Sequence, residues 1–504
     1  MIAANLPALQ IVLPLIAAPL CVFLRRGGLA WLLTLAVSWA ALAVAVSLLT
    51  RVLEGGVIVY DLGGWKAPWG IEYRIDMANA FVLMIVSAIS AVVVPFARQS
   101  VEAEIAPGRV YLFYTMYLLC FTGLLGIAIT GDAFNLFVFL EISSLSSYVL
   151  ISLGKDRRAI TAAYQYLIMG TIGATFYLIG VGFLYMMTGT LNMADLAERI
   201  PAVADTRTVH AAFAFIVIGI GLKAAIFPLH LWLPNAYCHA PSAVTAFLAA
   251  TATKVSIYVL IRMFFTVFGH EFAFEDIELT QAAAELLAFG GMLVGSTVAI
   301  FQLNVKRLLA YSSVAQIGYM FLGISLASVT GLTASLVHLF NHALIKGGLF
   351  LAMGCVFLRL GSVHIRDMAG LAKQMPWTMA AFVAGGLSLI GVPLTTGFIS
   401  KWVLVQAALE GDVWYAAVLI VFSSLLAIAY VWRVVEVAYF QPAPEGAPKV
   451  EEAPLTMLLP TWILLLANVY FGIDTSVTVG VAQQAAEALI GVAPIDVPAI
   501  GATE

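Results

Sequence analysis

Seven ionisable residues lie in stretches that otherwise read as lipid-embedded. They are Glu141 in GDAFNLFVFLEISSLSSYVLI, Lys223 in GIGLKAAIF, Lys254 in TAFLAATATKVSIYVLIR, His338, His342 and Lys346 in LVHLFNHALIKGGLF, and Lys401 in GFISKW. One charged side chain at the centre of a bilayer costs roughly 2.5–3.5 kcal/mol on insertion scales. A chain that keeps five such charges and two histidines puts them to use. Carboxyl, amine and imidazole groups in that setting can hold and pass protons.

The spacing of these groups sharpens that reading. Glu141 sits about ten residues into its apolar run, near mid-membrane at a rise of ~1.5 Å per residue, and Ser144 and Tyr148 share its helical face. Pairing Glu141 with Lys223 favours two charges, and separating them favours release of a proton from the lysine, so the pair can act as a switch. The alternative is a fixed buried ion pair, a weak stabiliser. Lys254 has eleven apolar or small residues before it, back to Ala243, and no acidic residue within its run, which makes it the best candidate for a proton carrier. Snorkelling to the interface is the bland alternative, although Arg262 already stands at that end.

His338, His342 and Lys346 recur at i, i+4 and i+8, so they line one helical face over roughly 12 Å and form a ladder suited to handing protons along a channel. Two histidines four apart can also bind a metal, but no HExxH pattern or neighbouring carboxylate accompanies them, and no metal site is expected. Lys401 follows a proline-interrupted run and is a candidate exit gate, with interfacial snorkelling as its alternative. His230 and His239 flank a bend and stand where a proton input path would open. Asp132 after Gly131 reads as a helix N-cap, and Lys306 and Arg307 read as loop charges that set topology.

The elements that must position these residues are membrane helices. Of 504 residues 62% are hydrophobic and only 10% charged, and mean hydropathy is +1.01, values that exclude soluble globular and disordered chains. Apolar runs of about 20 residues recur, whereas an outer-membrane barrel alternates over ~10. The expected fold is therefore all-α, with about fourteen spans near 5–24, 29–50, 76–97, 110–130, 132–152, 160–188, 208–227, 243–267, 280–301, 307–328, 330–358, 376–409, 413–438 and 454–480. The first run has neither a basic residue before it nor a cleavage site after it and is expected to be retained. Run 7 ends at Pro228, and run 12 contains Gly391, Pro393 and Gly397, so both are expected to be broken near mid-membrane.

Loops after runs 1, 3, 5, 9, 11 and 13 hold fourteen of the 24 Lys and Arg residues, against six on the opposite side, with the remaining four inside the runs. The basic side is expected to be cytoplasmic, which leaves both termini outside. Gly221-Leu222 followed five residues later by Pro228-Leu229 recurs as Gly386-Leu387 and Pro393-Leu394, on runs five apart. An odd offset inverts topology, as in inverted-repeat transporters with an ion site at the breaks. The four cysteines form no CxxC pair, and no Walker A loop, dinucleotide fingerprint or nucleophile elbow occurs, so no cofactor is expected and energy must come from an ion gradient or a partner subunit.

Taken together, FNLFVFLEISSLSSYVLI, GLKAAIFPLHLWLPNAYCHAPSAVTAFLAATATKVSIYVLIR, NVKRLLAYSSVAQIGYM and HLFNHALIKGGLFL closely resemble the antiporter-like subunits shared by respiratory complex I and Mrp-type multisubunit cation/proton antiporters. The resemblance covers nearly the whole chain. It implies a fourteen-helix fold with residues 1–109 as three leading helices, 110–267 and 280–438 as two inverted five-helix half-channels, and 439–504 as a last helix with a short tail. It also implies that Glu141 and Lys223 are the coupling pair, Lys254 the central lysine, His338, His342 and Lys346 the connecting row, and Lys401 the terminal charge. Within the family, the FNLFVFLEISS wording and the length are most similar to the D-type subunit of the Mrp antiporters. The expected function is a proton-translocating, multi-pass subunit of a sodium/proton antiporter in the inner membrane, partnered by other membrane subunits. The alternatives are a proton-pumping subunit of complex I or of a membrane-bound hydrogenase, and a subunit for inorganic-carbon uptake.

Overall fold

A computed structural model describes residues 2–277, 279–446 and 449–491. In chain order its α-helices are α1 (Leu6–Leu24), α2 (Gly27–Gly55), α3 (Met77–Glu104), α4 (Val110–Ile129), α5 (Ala133–Ser152), α6 (Arg157–Thr188), α7 (Met193–Arg199), α8 (Arg207–Ala224), α9 (Trp232–His239), α10 (Ser242–Arg262), α11 (Leu279–Ile300), α12 (Val305–Ser325), α13 (Val329–Leu360), α14 (Pro376–Ile390), α15 (Thr396–Glu410), α16 (Trp414–Val435), α17 (Leu455–Ile473) and α18 (Ser476–Ile490). Among the described residues, 13 helices are long and apolar enough to cross a membrane. The broken pair α14–α15 supplies the fourteenth expected run. The protein is a multi-pass, all-α membrane protein; among the described residues it has one small hairpin between α2 and α3, β1 (Ile58–Asp61) against β2 (Glu72–Ile75), paired antiparallel from Ile58↔Ile75 to Asp61↔Glu72.

A backbone in lipid must satisfy its own polar groups, which is why the long runs are helical and why their ends carry caps. Asp132 accepts from the Asn135 amide at 2.6 Å and starts α5, as expected. Asp156, Thr206, Asn304 and Ser328 do the same for α6, α8, α12 and α13. Helices α10 and α12 are buried almost all round, whereas α2, α6 and α16 leave most of their surface for lipid. The 32-residue α13 packs against α10, α12, α14, α15, α17 and α18 and forms the spine of the bundle. Close crossings depend on glycine. A Cβ on Gly219 would lie 2.6 Å from the Gly173 carbonyl oxygen, so α6 and α8 can approach only with a hydrogen at that point.

Both interruptions occur where the prolines predict them. Helix α8 stops at Ala225, in a left-handed conformation (φ 59°), and the chain resumes as α9. Helix α14 stops at Gly391 (φ 94°), four residues before the cap of α15. Helices α2 and α3 run past their expected ends to Gly55 and Glu104, and the C-terminal end differs most. The last apolar run does not continue to 480: α17 ends at Ile473, Asp474 and Thr475 turn the chain, and α18 folds back against α3 and α13. Asp474 accepts from the Ser476 amide and hydroxyl, an arrangement that ends one helix and starts the next. The rest of the expected tail, from 492, lies outside the described residues.

Candidate functional site

The seven candidates sit on five helices that pack in series, α5 and α8 through α6, then α10, α13 and α15. At one end, the Lys223 ammonium donates to Ser144 Oγ at 2.6 Å and to Tyr148 OH at 3.3 Å. Glu141 Oε1 is 4.0 Å away, so the carboxylate is an ion-pair neighbour and the hydroxyls are the direct partners. All three come from one face of α5, at i, i+3 and i+7. The Lys223 side chain is almost fully enclosed, while the Glu141 side chain retains 26% of its exposure. Glu141 Oε1, the oxygen facing the lysine, is itself buried and has no hydrogen-bond partner among the described residues.

The frame around this pair is aromatic. Tyr148 meets Tyr166 edge-on, and Tyr166 stacks on Trp232 with centroids 3.8 Å apart. Trp232 of α9 in turn donates to the Leu222 carbonyl at 2.9 Å, an oxygen at the end of α8 that also accepts from the Ala225 amide at 3.2 Å. The break after α8 therefore fixes both the backbone beside Lys223 and the ring stack behind it. Between this pair and α10 lies a cavity of about 20 Å³ lined by Ser143, Ser144, Ser147, Lys223 and Ser256, polar and roomy enough for a water.

Lys254 is 1% exposed, and its ammonium turns back along α10 to the Ala249 carbonyl, with Thr253 Oγ1 at 3.4 Å. That geometry rules out snorkelling. Beyond it, the His338 and His342 rings stack with centroids 5.9 Å apart. His338 Nδ1 is 2.8 Å from Ser400 Oγ, whereas among the described residues His338 Nε2 and both nitrogens of His342 have no hydrogen-bond partner. His342 lies one turn from His338 and one from Lys346, in the middle of the α13 ladder. Lys346 donates to the Leu309 carbonyl at 2.8 Å and to Ser312 Oγ.

Lys401 closes the series. Its ammonium donates to the Leu389 and Ile390 carbonyls at 3.0 and 2.9 Å, the oxygens that the end of α14 leaves open, and lies 5.0 Å from the centre of the Tyr319 ring. A cation at a helix C-terminus also faces the negative end of the backbone dipole. Lys401 is thus buried at the break and does not snorkel.

Four features escaped the sequence reading. Lys306, read as a topology charge, is 3% exposed, because it folds inward to Ser242 Oγ at 3.0 Å. With Glu104, Asp156, His239 and Arg307 it lines a cavity of about 670 Å³ at the N-terminal end of α10. His239 faces Asp156 there at 3.4 Å, whereas His230 is buried against the Phe227 ring. Arg262, read as an interfacial anchor, makes a two-pronged ion pair with Asp76 at 2.7 and 2.9 Å. Asn468 of α17 accepts from Ser388 Oγ at 2.7 Å and from Thr396 Oγ1, tying the two halves of the second break together. Ser312 and Ser400, which hold Lys346 and His338, belong to other helices. A lone asparagine in LLLANVYFG was the one available signal, since polar residues inside apolar runs mark function; the other partners depend on which helices meet.

A family model described as the transmembrane part of "NADH:quinone oxidoreductase/Mrp antiporter" matches residues 130–427, more than half of the chain and a stretch containing all seven candidates. The chain belongs to this family. Among curated family members it is similar to the N-type subunit of NADH-quinone oxidoreductase of Desulforudis audaxviator, 43% identical over 93% of this chain and 96% of that one. It is also similar to the D-type subunit of the Na(+)/H(+) antiporter of Bacillus subtilis, 30% identical over 96% of this chain and 97% of that one. Among solved family structures, a chain of the Mrp complex from a Dietzia species superposes with a TM-score of 0.89 at 27% identity, covering 97% of this chain and 98% of that one.

Proposed function

We propose that this chain is a proton-translocating membrane subunit of a multisubunit sodium/proton antiporter, and that protons move along the row built from Glu141, Lys223, Lys254, the His338, His342 and Lys346 ladder, and Lys401. The observation that carries this reading is the burial of four lysines in one packed series, three of them bonded only to carbonyl and hydroxyl oxygens and none to a tight carboxylate partner. A lysine held by neutral acceptors can exist with or without its proton, as a carrier requires. The same reading takes 110–267 and 280–438 as inverted halves meeting at Lys254, with 1–109 and 439–504 flanking them. The corresponding breaks after α8 and α14 support it. The basic loops support an inner-membrane location with both termini outside.

Similarity to the D-type subunit of an Na(+)/H(+) antiporter and to an Mrp complex chain supports sodium as the exchanged cation and other membrane subunits as partners. One observation favours a second reading, a proton-pumping subunit of an NADH:quinone oxidoreductase: the 43% identity to an N-type subunit of such a complex. Dye-monitored proton movement in everted vesicles containing the whole complex separates the two. Sodium-evoked dissipation of an imposed gradient supports the antiporter, and transport that requires NADH and ignores sodium overturns it in favour of the second reading.

A further inference from the structure

Helix α10 runs between two cavities. Its N-terminal end meets the large basic vestibule described above, and its C-terminal end meets a second cavity of about 290 Å³ lined by Asp76, Asn79, Thr130, Glu198, Tyr258 and Arg262. The second cavity is built from the ends of α3, α4 and α10 and from α7, which all belong to the side opposite the basic loops. Lys254, Tyr258 and Arg262 recur at i, i+4 and i+8, so their Cα atoms share one face of α10, about 6 and 12 Å along the axis from that of the lysine.

The floor of this cavity is fully connected. Both prongs of the Arg262 guanidinium end on Asp76, whose carboxylate also accepts from the Asn79 amide at 3.1 Å. Arg262 donates as well to Tyr258 OH at 3.2 and 3.1 Å, and Tyr258 OH donates to the Ala128 carbonyl at 3.1 Å. The Arg262 and Asp76 side chains are 9% and 20% exposed, and Tyr258 behind them is 2% exposed. A cation thus sits on the carrier's own helical face, between the carrier and a solvent-sized space. A pair serving only to tie α3 to α10 would need no cavity above it, nor the alignment with Lys254.

We propose that this cavity is the port through which Lys254 exchanges protons with the outer face, with the Asp76–Arg262 pair as its closed gate and Tyr258 positioning the guanidinium. This rests on Lys254 being the carrier. In the open state Arg262 leaves Asp76. The Lys254 ammonium then leaves the Ala249 carbonyl, swings along α10 toward the cavity, gives its proton to water entering there and becomes a neutral amine, and the reverse step reloads it. Asp76 holds the gate and does not take the proton.

The test uses the whole complex in vesicles carrying an imposed pH gradient without sodium. Asp76→Asn keeps the shape of the pair and removes its charge, and is expected to raise passive proton leak several-fold; adding Lys254→Ala is expected to return the leak to the wild-type level. Unchanged leak in Asp76→Asn, or leak that persists in the double variant, overturns the port. Full sodium-driven transport in Lys254→Ala alone sinks the carrier assignment instead, so the two failures are distinguishable. Thr266→Cys, in the cavity wall, replaces a hydroxyl that accepts from Arg262 at 3.1 Å but leaves both prongs to Asp76 in place. A membrane-impermeant maleimide is expected to label it from the outer face above the background of the unsubstituted complex, and labelling only from the inner face overturns the proposal.

Discussion

Gly170 of α6 is where a single methyl group reaches the Glu141–Lys223 pair without replacing either member. A Cβ there would lie 1.9 Å from Tyr148 OH and 3.3 Å from Lys223 Nζ. To reach the 3.4 Å at which contact becomes ordinary, the tyrosine oxygen must retreat by about 1.5 Å. Its present separation from Lys223 Nζ is 3.3 Å, so the hydrogen bond does not survive the move. A hydrogen bond to a charged group contributes about 1.5–3 kcal/mol, and overpacking a close crossing adds about 1–3 kcal/mol of strain. Gly170→Ala is therefore expected to slow sodium-evoked proton movement by about tenfold or more in everted vesicles, with a lowered thermal midpoint of the complex. Gly182→Ala on the same helix is the control, because nothing lies within 4 Å of its Cβ and helix propensity favours alanine. If the effect passes through the hydroxyl, Gly170→Ala should add little in a Tyr148→Phe background. Wild-type transport in Gly170→Ala, or an undiminished effect in that background, refutes this account of how Lys223 is held.

Other substitutions separate the breaks from the row they support. Lys401→Met leaves the Leu389 and Ile390 carbonyls buried without their donor; at about 1–3 kcal/mol for each orphaned group, the complex should melt at lower temperature and lose transport, and unchanged melting would show that the break closes without the lysine. Asn468→Leu removes the acceptor shared by Ser388 and Thr396, with a destabilisation of about 1–3 kcal/mol per orphaned hydroxyl expected in thermal unfolding of the complex. Asp132→Ala removes the cap of α5 and should lower stability by about 1 kcal/mol while leaving proton movement near wild type, since Glu141 lies two turns further along the helix.

The fold was legible because lipid permits so few solutions. Apolar run length marked the helices, and Pro228 and Pro393 marked both breaks to within a few residues. The chemical groups were legible too, since a lysine or glutamate in an apolar run is conspicuous by its cost. Their partners were not. Whether Lys306 points to water or to Ser242, and whether Arg262 meets lipid headgroups or Asp76, depends on contacts between residues 64 and 186 positions apart. Periodicity along one helix carries no information about such contacts. The turn at Asp474 was missed for a related reason: apolar character continues from α17 into α18, and only a short polar cap separates them.

The central claim is that Lys254 carries protons by losing and regaining its own. Arginine at that position keeps the positive charge but cannot release its proton in a protein, whereas alanine removes the group. Sodium-evoked proton movement in everted vesicles containing the assembled complex should be abolished by both Lys254→Arg and Lys254→Ala. Wild-type rates in either variant would contradict the account.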